Sequence, residues 1–206
     1  MIIKVCGMRD AENIREVESL GIDWMGFIFY ERSGRYVSTK PAYLPTLCKR
    51  VGVFVNNTLT EILEKCDEFG LNLVQLHGNE SAGFCSDLRK MLPSGTQIIK
   101  MLSISDGTAF SATKAFMPYV DYFLFESPCR DYGGSGRQFD WSLLDIYRGE
   151  KPFILTGGIG PDDASRLMEL HHPRFAGIDL NSRFEIAPAM KSVESLKQLI
   201  NNIRIS

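Results

Sequence analysis

The chain has no Cys-x-x-Cys pair, no cysteine and histidine cluster spaced for zinc, no block of like charge and no long apolar stretch, and each absence removes a class of protein. Its five cysteines, at positions 6, 48, 66, 85 and 129, are odd in number and widely scattered. That spacing describes reduced thiols without metal, not a disulfide framework or a zinc site. No segment offers the roughly 18 uninterrupted apolar residues of a membrane-spanning helix. The start, Met1-Ile2-Ile3-Lys4-Val5-Cys6-Gly7-Met8-Arg9, has too short an apolar run for a secretory signal. A formal charge of −2 at pH 7 gives no electrostatic reason to bind nucleic acid or an anionic membrane. The expectation is a cytoplasmic protein whose partner is a small molecule.

What is present is a globular composition, 44% hydrophobic and 23% charged over 206 residues, with no linker or low-complexity segment, so residues 1–206 are expected to form one domain. Short apolar, β-branched runs recur near Ile2, Trp24, Val51, Leu71, Gln97, Val120, Pro152 and Phe175, with amphipathic stretches between them. Runs such as Trp24 to Phe29 and Val51 to Val55 are apolar without alternation, as parallel strands covered on both faces require. Helix signals fall between the strands. Thr58-Leu59-Thr60-Glu61 reads as a capping box, Pro161 with Asp162 and Asp163 suits a first turn, and Val193, Leu196, Leu199, Ile200 and Ile203 form one helical stripe.

Strand–helix units repeated in this way predict an α/β fold, a single (β/α)8 TIM barrel. The runner-up is an open doubly wound sheet, disfavoured because no Gly-x-Gly-x-x-Gly follows the first strand. Ser127 to Phe139 carries three glycines and no apolar period, which reads as a lid over the C-terminal face of a barrel.

Chemistry-bearing residues cluster at predicted strand ends. Cys6 closes the first strand; such a cysteine is commonly a small buried hydrophobe, but at a barrel mouth near a cation its thiolate has the basicity to take a proton from carbon. Glu126 ends the apolar run Tyr122-Phe123-Leu124-Phe125. It is either a rim salt bridge or a carboxyl kept protonated as a general acid. Gly157-Gly158 and Asn181-Ser182 follow strands seven and eight, where backbone N–H groups of this fold hold phosphate. Arg35 suits a ligand carboxylate, with Arg32 as its competitor. His77 is a rim residue or a ligand contact, and His171 and His172 fall at the opposite face.

In order and spacing, Lys4-Val5-Cys6-Gly7-Met8, Gly26-Phe27-Ile28-Phe29-Tyr30 with Ser33-Gly34-Arg35-Tyr36, Val51 to Asn56, Val74-Gln75-Leu76-His77-Gly78, Tyr132-Gly133-Gly134-Ser135-Gly136 with Phe139-Asp140-Trp141, Gly157-Gly158 and Asp179-Leu180-Asn181-Ser182 together resemble the phosphoribosylanthranilate isomerase family over nearly the whole chain. The resemblance implies an Amadori rearrangement of N-(5'-phosphoribosyl)anthranilate in tryptophan biosynthesis, without cofactor or metal. Other enzymes of that pathway are candidate protein partners. By matching position it implies Cys6 as base and Glu126 as acid, Arg35 on the anthranilate carboxylate, Gly157, Gly158 and Ser182 on phosphate, and His77 and Asp179 near the ligand.

The chain departs from the family pattern where Glu126 followed by Ser127-Pro128 stands for an aspartate commonly followed by Thr-Lys. It departs again where Ala189 and Ser192 stand for glycine and aspartate. Two alternatives remain open: another sugar-phosphate isomerase on the same barrel, such as the histidine-pathway enzyme with its aspartate base after strand one, or a phosphate-binding relative that has lost catalysis.

Overall fold

The apolar runs close on themselves. In the computed structural model, which describes residues 1–127 and 140–205, eight parallel strands pair in chain order and the eighth returns to the first. They are β1 (Ile2–Val5), β2 (Trp24–Ile28), β3 (Lys49–Phe54), β4 (Leu73–Leu76), β5 (Gln97–Ser103), β6 (Tyr122–Glu126), β7 (Phe153–Leu155) and β8 (Phe175–Leu180). Ile3 pairs with Ile178 and Val5 with Leu180 at the closing seam. The barrel is the predicted architecture, and the open sheet is excluded.

Period-two alternation makes two cores. Inside the barrel, Trp24, Val51, Leu73, Ile99, Leu124 and Ile154 form a closed floor from successive strands. Residues of the opposite parity, among them Met25, Val74, Ile98, Phe123, Phe125 and Phe153, pack outward in a second cluster. Lys4 of β1, Gly26, Val53, Gln75 and Glu126 share the inner parity toward the C-terminal ends of their strands, so the lumen above the floor changes from apolar to polar within one repeat.

The helical layer is thinner than eight strand–helix units imply. Helices α1 (Ala11–Glu18), α2 (Leu59–Phe69), α3 (Ala82–Met91) and α6 (Val193–Ile205) are full elements, whereas α4 (Thr113–Phe116) and α5 (Ala164–Met168) are about one turn each. The Thr58 and Glu61 capping box is formed, and Gly70 ends α2 at φ 58°. On α6, Leu196, Leu199, Ile200 and Ile203 of the predicted stripe are buried and Val193 is partly so.

The β2 to β3 connection, residues 29–48, has no helix at all. Pro41 and Pro45 break any helical run there. The segment is instead tied to α1 by Glu18, whose buried carboxylate accepts from Tyr43 Oη and from the backbone N–H groups of Thr46 and Leu47. The predicted lid lies outside the described residues apart from Ser127. Among the described residues no helix is long and apolar enough to cross a membrane.

Candidate active site

One cavity opens at the C-terminal ends of the strands, and the inner-parity residues line it. Cys6 after β1, Val53 of β3, Gln75 and His77 at β4, Glu126 of β6, Thr156 after β7 and Asp179 of β8 meet there. β1 and β6 stand three places apart around the closed barrel. The thiol and the carboxyl therefore reach the same space from well-separated strands. Gly7, at φ 77°, turns the chain away beneath them, and a Cβ there would lie 2.7 Å from Arg35 Cδ.

Cys6 sits in a charged pocket of its own. Gly26 on β2 leaves the room: a Cβ there would stand 2.8 Å from Cys6 Sγ and 3.2 Å from Lys4 Nζ. Lys4 is fully buried and donates to Asp179 Oδ1 at 2.9 Å. Burial pulls the Lys4 ammonium down, but the facing Asp179 and Cys6 outweigh it and hold its pKa above the ordinary lysine value. Burial pushes the Cys6 thiol up, against the downward pull of Lys4. The neutral thiol is therefore favoured, and Lys4 is the main group favouring the thiolate.

Glu126 is held by His77, whose Nε2 lies 3.2 Å from Oε2. Gln75 Nε2 stands 3.0 Å from His77 Nδ1. With that amide nitrogen donating, the ring carries its proton on Nε2 and presents it to the carboxyl. Gln75 Oε1 is buried and has no hydrogen-bond partner among the described residues, leaving an acceptor in the cavity wall. Beneath this corner Lys100 Nζ binds Gly78 O at 2.7 Å and Glu80 Oε2 at 2.8 Å, which fixes the loop that follows His77.

Of the two competing arginines, Arg35 lines the cavity and Arg32 faces a separate surface groove. Arg35 is not a free cation, however. Its Nε and Nη2 both bind Glu185, at 2.8 and 2.6 Å, and Glu185 also receives Lys191 Nζ at 2.5 Å. Glu185 and Lys191 come from the small hairpin of β9 (Glu185–Ala187) and β10 (Met190–Lys191), joined through Ala189 at φ 65°. A glycine would fit that left-handed conformation without the Cβ strain that Ala189 carries.

Gly157 and Gly158 turn the chain after β7 with φ 92° and 70°, values that favour glycine. They line the cavity together with Asn181 and Ser182 after β8. His171 and His172 are absent from the cavity; His172 Nε2 lies 3.2 Å from Tyr147 O, against the outer aromatic cluster.

Sequence reasoning therefore found the strand-end residues and missed Lys4, Gln75, Glu185, Lys191 and Arg183. Lys4 had a signal, a lysine inside the apolar run Ile2-Ile3-Lys4-Val5 two residues before Cys6, hence on the same strand face. Glu185 and Lys191 had none, since only the hairpin brings them under Arg35.

A closed parallel barrel with a thiol beside a lysine, a carboxyl held by a histidine and glycine turns after its last two strands defines an enzyme that moves protons on a small ligand. The family follows from comparison. Residues 3–202 match the model of the N-(5'phosphoribosyl)anthranilate (PRA) isomerase family, and the chain belongs to that family.

Among relatives so named, that of Phocaeicola vulgatus is 48% identical over 204 residues, covering 99% of this chain and 98% of the relative. That of Parabacteroides distasonis is 49% identical over 209 residues, covering 98% and 93%. The crystal structure of phosphoribosyl anthranilate isomerase from Thermotoga maritima superposes with a TM-score of 0.83 at 29% identity over all of both chains. A phosphoribosyl anthranilate isomerase in complex with reduced 1-(o-carboxyphenylamino)-1-deoxyribulose 5-phosphate does so at 0.80 with 27% identity, again over both whole chains.

Proposed function

We propose that the chain acts as one domain over residues 1–206, in the cytoplasm, on N-(5'-phosphoribosyl)anthranilate, with Cys6 and Glu126 as its two proton-transfer groups. The activity is that of its family, an intramolecular aldose–ketose isomerisation in tryptophan biosynthesis. The observation that carries the residue assignment is that the thiol and the carboxyl line one cavity from strands three places apart.

Glu126 gives a proton to the furanose ring oxygen as the bond from C1′ to that oxygen breaks, and the anthranilate nitrogen supplies the electron pair of the resulting protonated Schiff base. Cys6 as thiolate then takes the C2′ proton, and the electrons of that C–H bond form the enolamine. Tautomerisation of the enolamine gives 1-(2-carboxyphenylamino)-1-deoxyribulose 5-phosphate. The two transfers occur at different atoms of the sugar, so a separate acid and base serve them. His77 orients Glu126 through its Nε2, and Gln75 Nε2 holds His77 from the other side of the ring. Lys4, neutralised on its other side by Asp179, supplies the cation that a thiolate needs.

The anionic ends of the substrate meet opposite sides of the mouth. Arg35, aligned by Glu185 through Nε and Nη2, turns its remaining Nη1 donors to the anthranilate carboxylate. The backbone turns at Gly157, Gly158 and Ser182 receive the phosphate. Partnership with other enzymes of tryptophan synthesis rests on the shared pathway alone.

The test is to generate phosphoribosylanthranilate in situ and add the purified protein. Loss of the anthranilate fluorescence in step with protein concentration is the expected result. No loss, with the reduced product analogue still binding, would make the chain a ligand-binding relative and overturn the proposal.

A further inference from the structure

Among the described residues, the basic and carboxylate side chains lining the cavity are paired, with one exception. Arg35 is held by Glu185, Asp179 by Lys4 and Glu126 by His77. Arg183 belongs to the 3-10 turn Ser182–Phe184 that follows β8, and it lines the same cavity beside Gly157, Gly158 and Ser182. Among the described residues no carboxylate stands within ion-pair distance of its guanidinium, and no carbonyl accepts its N–H groups. The guanidinium lies against the β7 loop, with Nε 3.0 Å and Nη2 3.3 Å from the point a Cβ of Gly160 would occupy. A side chain at 160 would crowd the cation there. An arginine spends side-chain entropy to hold such a position, and an anion between the two glycine turns would repay it.

We propose that Arg183 is a phosphate-binding residue of this enzyme, adding a side-chain guanidinium to the backbone turns after β7 and β8 and so selecting for the phosphorylated end of the substrate. The proposal rests on the phosphate reading of those turns. Planar N–H donors on one side and backbone N–H groups on the other suit the separate oxygens of a phosphate dianion. Because Arg183 is exposed, its contribution is screened and belongs to binding more than to turnover.

The experiment compares Arg183→Gln, Arg183→Lys and Gly160→Ala with the wild type, reading KM, kcat and competitive inhibition by inorganic phosphate and by anthranilate. Arg183→Gln is expected to raise KM and the phosphate inhibition constant together by about 10-fold, with a much smaller change in kcat and none in anthranilate inhibition. Arg183→Lys should recover part of the loss. Gly160→Ala should reproduce it in smaller degree, because the new Cβ crowds the guanidinium while Arg183 remains. Arg183→Gln with KM and phosphate inhibition both unchanged would overturn the proposal. So would weakened anthranilate inhibition with phosphate inhibition intact, which would assign Arg183 to the carboxylate end. Calorimetric binding of inorganic phosphate to wild type and Arg183→Gln reads the site without turnover, so failure of the isomerase assay and failure of this inference are separate results.

Discussion

Replacing Lys4 by methionine isolates the electrostatics that the proposed base depends on. Nζ of Lys4 and Sγ of Cys6 flank the same Gly26 position and stand within about 6 Å of each other. At an effective dielectric of about 20, a unit charge at about 6 Å contributes about 3 kcal/mol. Its removal raises the thiol pKa further and lowers the thiolate population at neutral pH about 100-fold. Burial already holds this thiol above 9.0, so the loss falls directly on the reactive form.

The sign follows from which form works. The base is the deprotonated thiol, so activity rises with pH through the thiol pKa, and a higher pKa moves that rise to higher pH. Lys4→Met is therefore expected to lower kcat/KM at pH 7 by about 100-fold, with the rising limb displaced upward and activity partly regained in alkali. It should also cost about 3–5 kcal/mol of stability, because Asp179 is left buried without its cation. The double replacement Lys4→Met with Asp179→Asn removes both charges and should recover part of that stability. The assays are fluorescence-detected turnover across the neutral to alkaline range, and urea unfolding. A folded Lys4→Met protein whose kcat/KM stays within about threefold of wild type at pH 7 would refute the reasoning.

Cys6→Ala should fold normally and lose at least about 100-fold in turnover; a rate near wild type would return this cysteine to packing. Glu126→Gln should lose most turnover while keeping product affinity in a binding titration, since an amide keeps the shape but cannot deliver the proton. Glu126→Asp should also be slower than wild type, because the shorter side chain withdraws from His77, now 3.2 Å away; turnover at or above wild type would show that reach does not matter. At Glu18, burial would raise the carboxyl, but hydrogen bonds from Tyr43, Leu47 and Thr46 carry it below its ordinary 4.5. Its stabilisation is therefore complete above about 4.5 and vanishes as pH falls through the lower folded-state value. Glu18→Gln should cost about 1–3 kcal/mol at pH 7 by urea unfolding, with the gap closing in acid; a gap independent of pH would contradict the assignment.

The barrel was legible in the amino-acid sequence because strand spacing and inner-face parity are local properties. Apolar runs recurring along the chain predict the strands, and their ends carry Cys6, His77 and Glu126 to the C-terminal rim of the lumen. The Thr58 capping box and the α6 stripe were legible for the same reason, since partners three or four residues apart are adjacent on a helix. The missing helix after β2 was written in Pro41 and Pro45, but the regular repeat overrode that signal.

What tertiary structure alone decided is which ionisable groups meet. Lys4 finds Asp179, Arg35 finds Glu185 and Lys191, and His77 finds Glu126, across sequence separations that no periodicity encodes. Only barrel closure and the β9–β10 hairpin bring those residues within hydrogen-bonding distance. There burial strengthens each pairing and leaves Arg183, among the described residues lining the cavity, as the cation without a carboxylate.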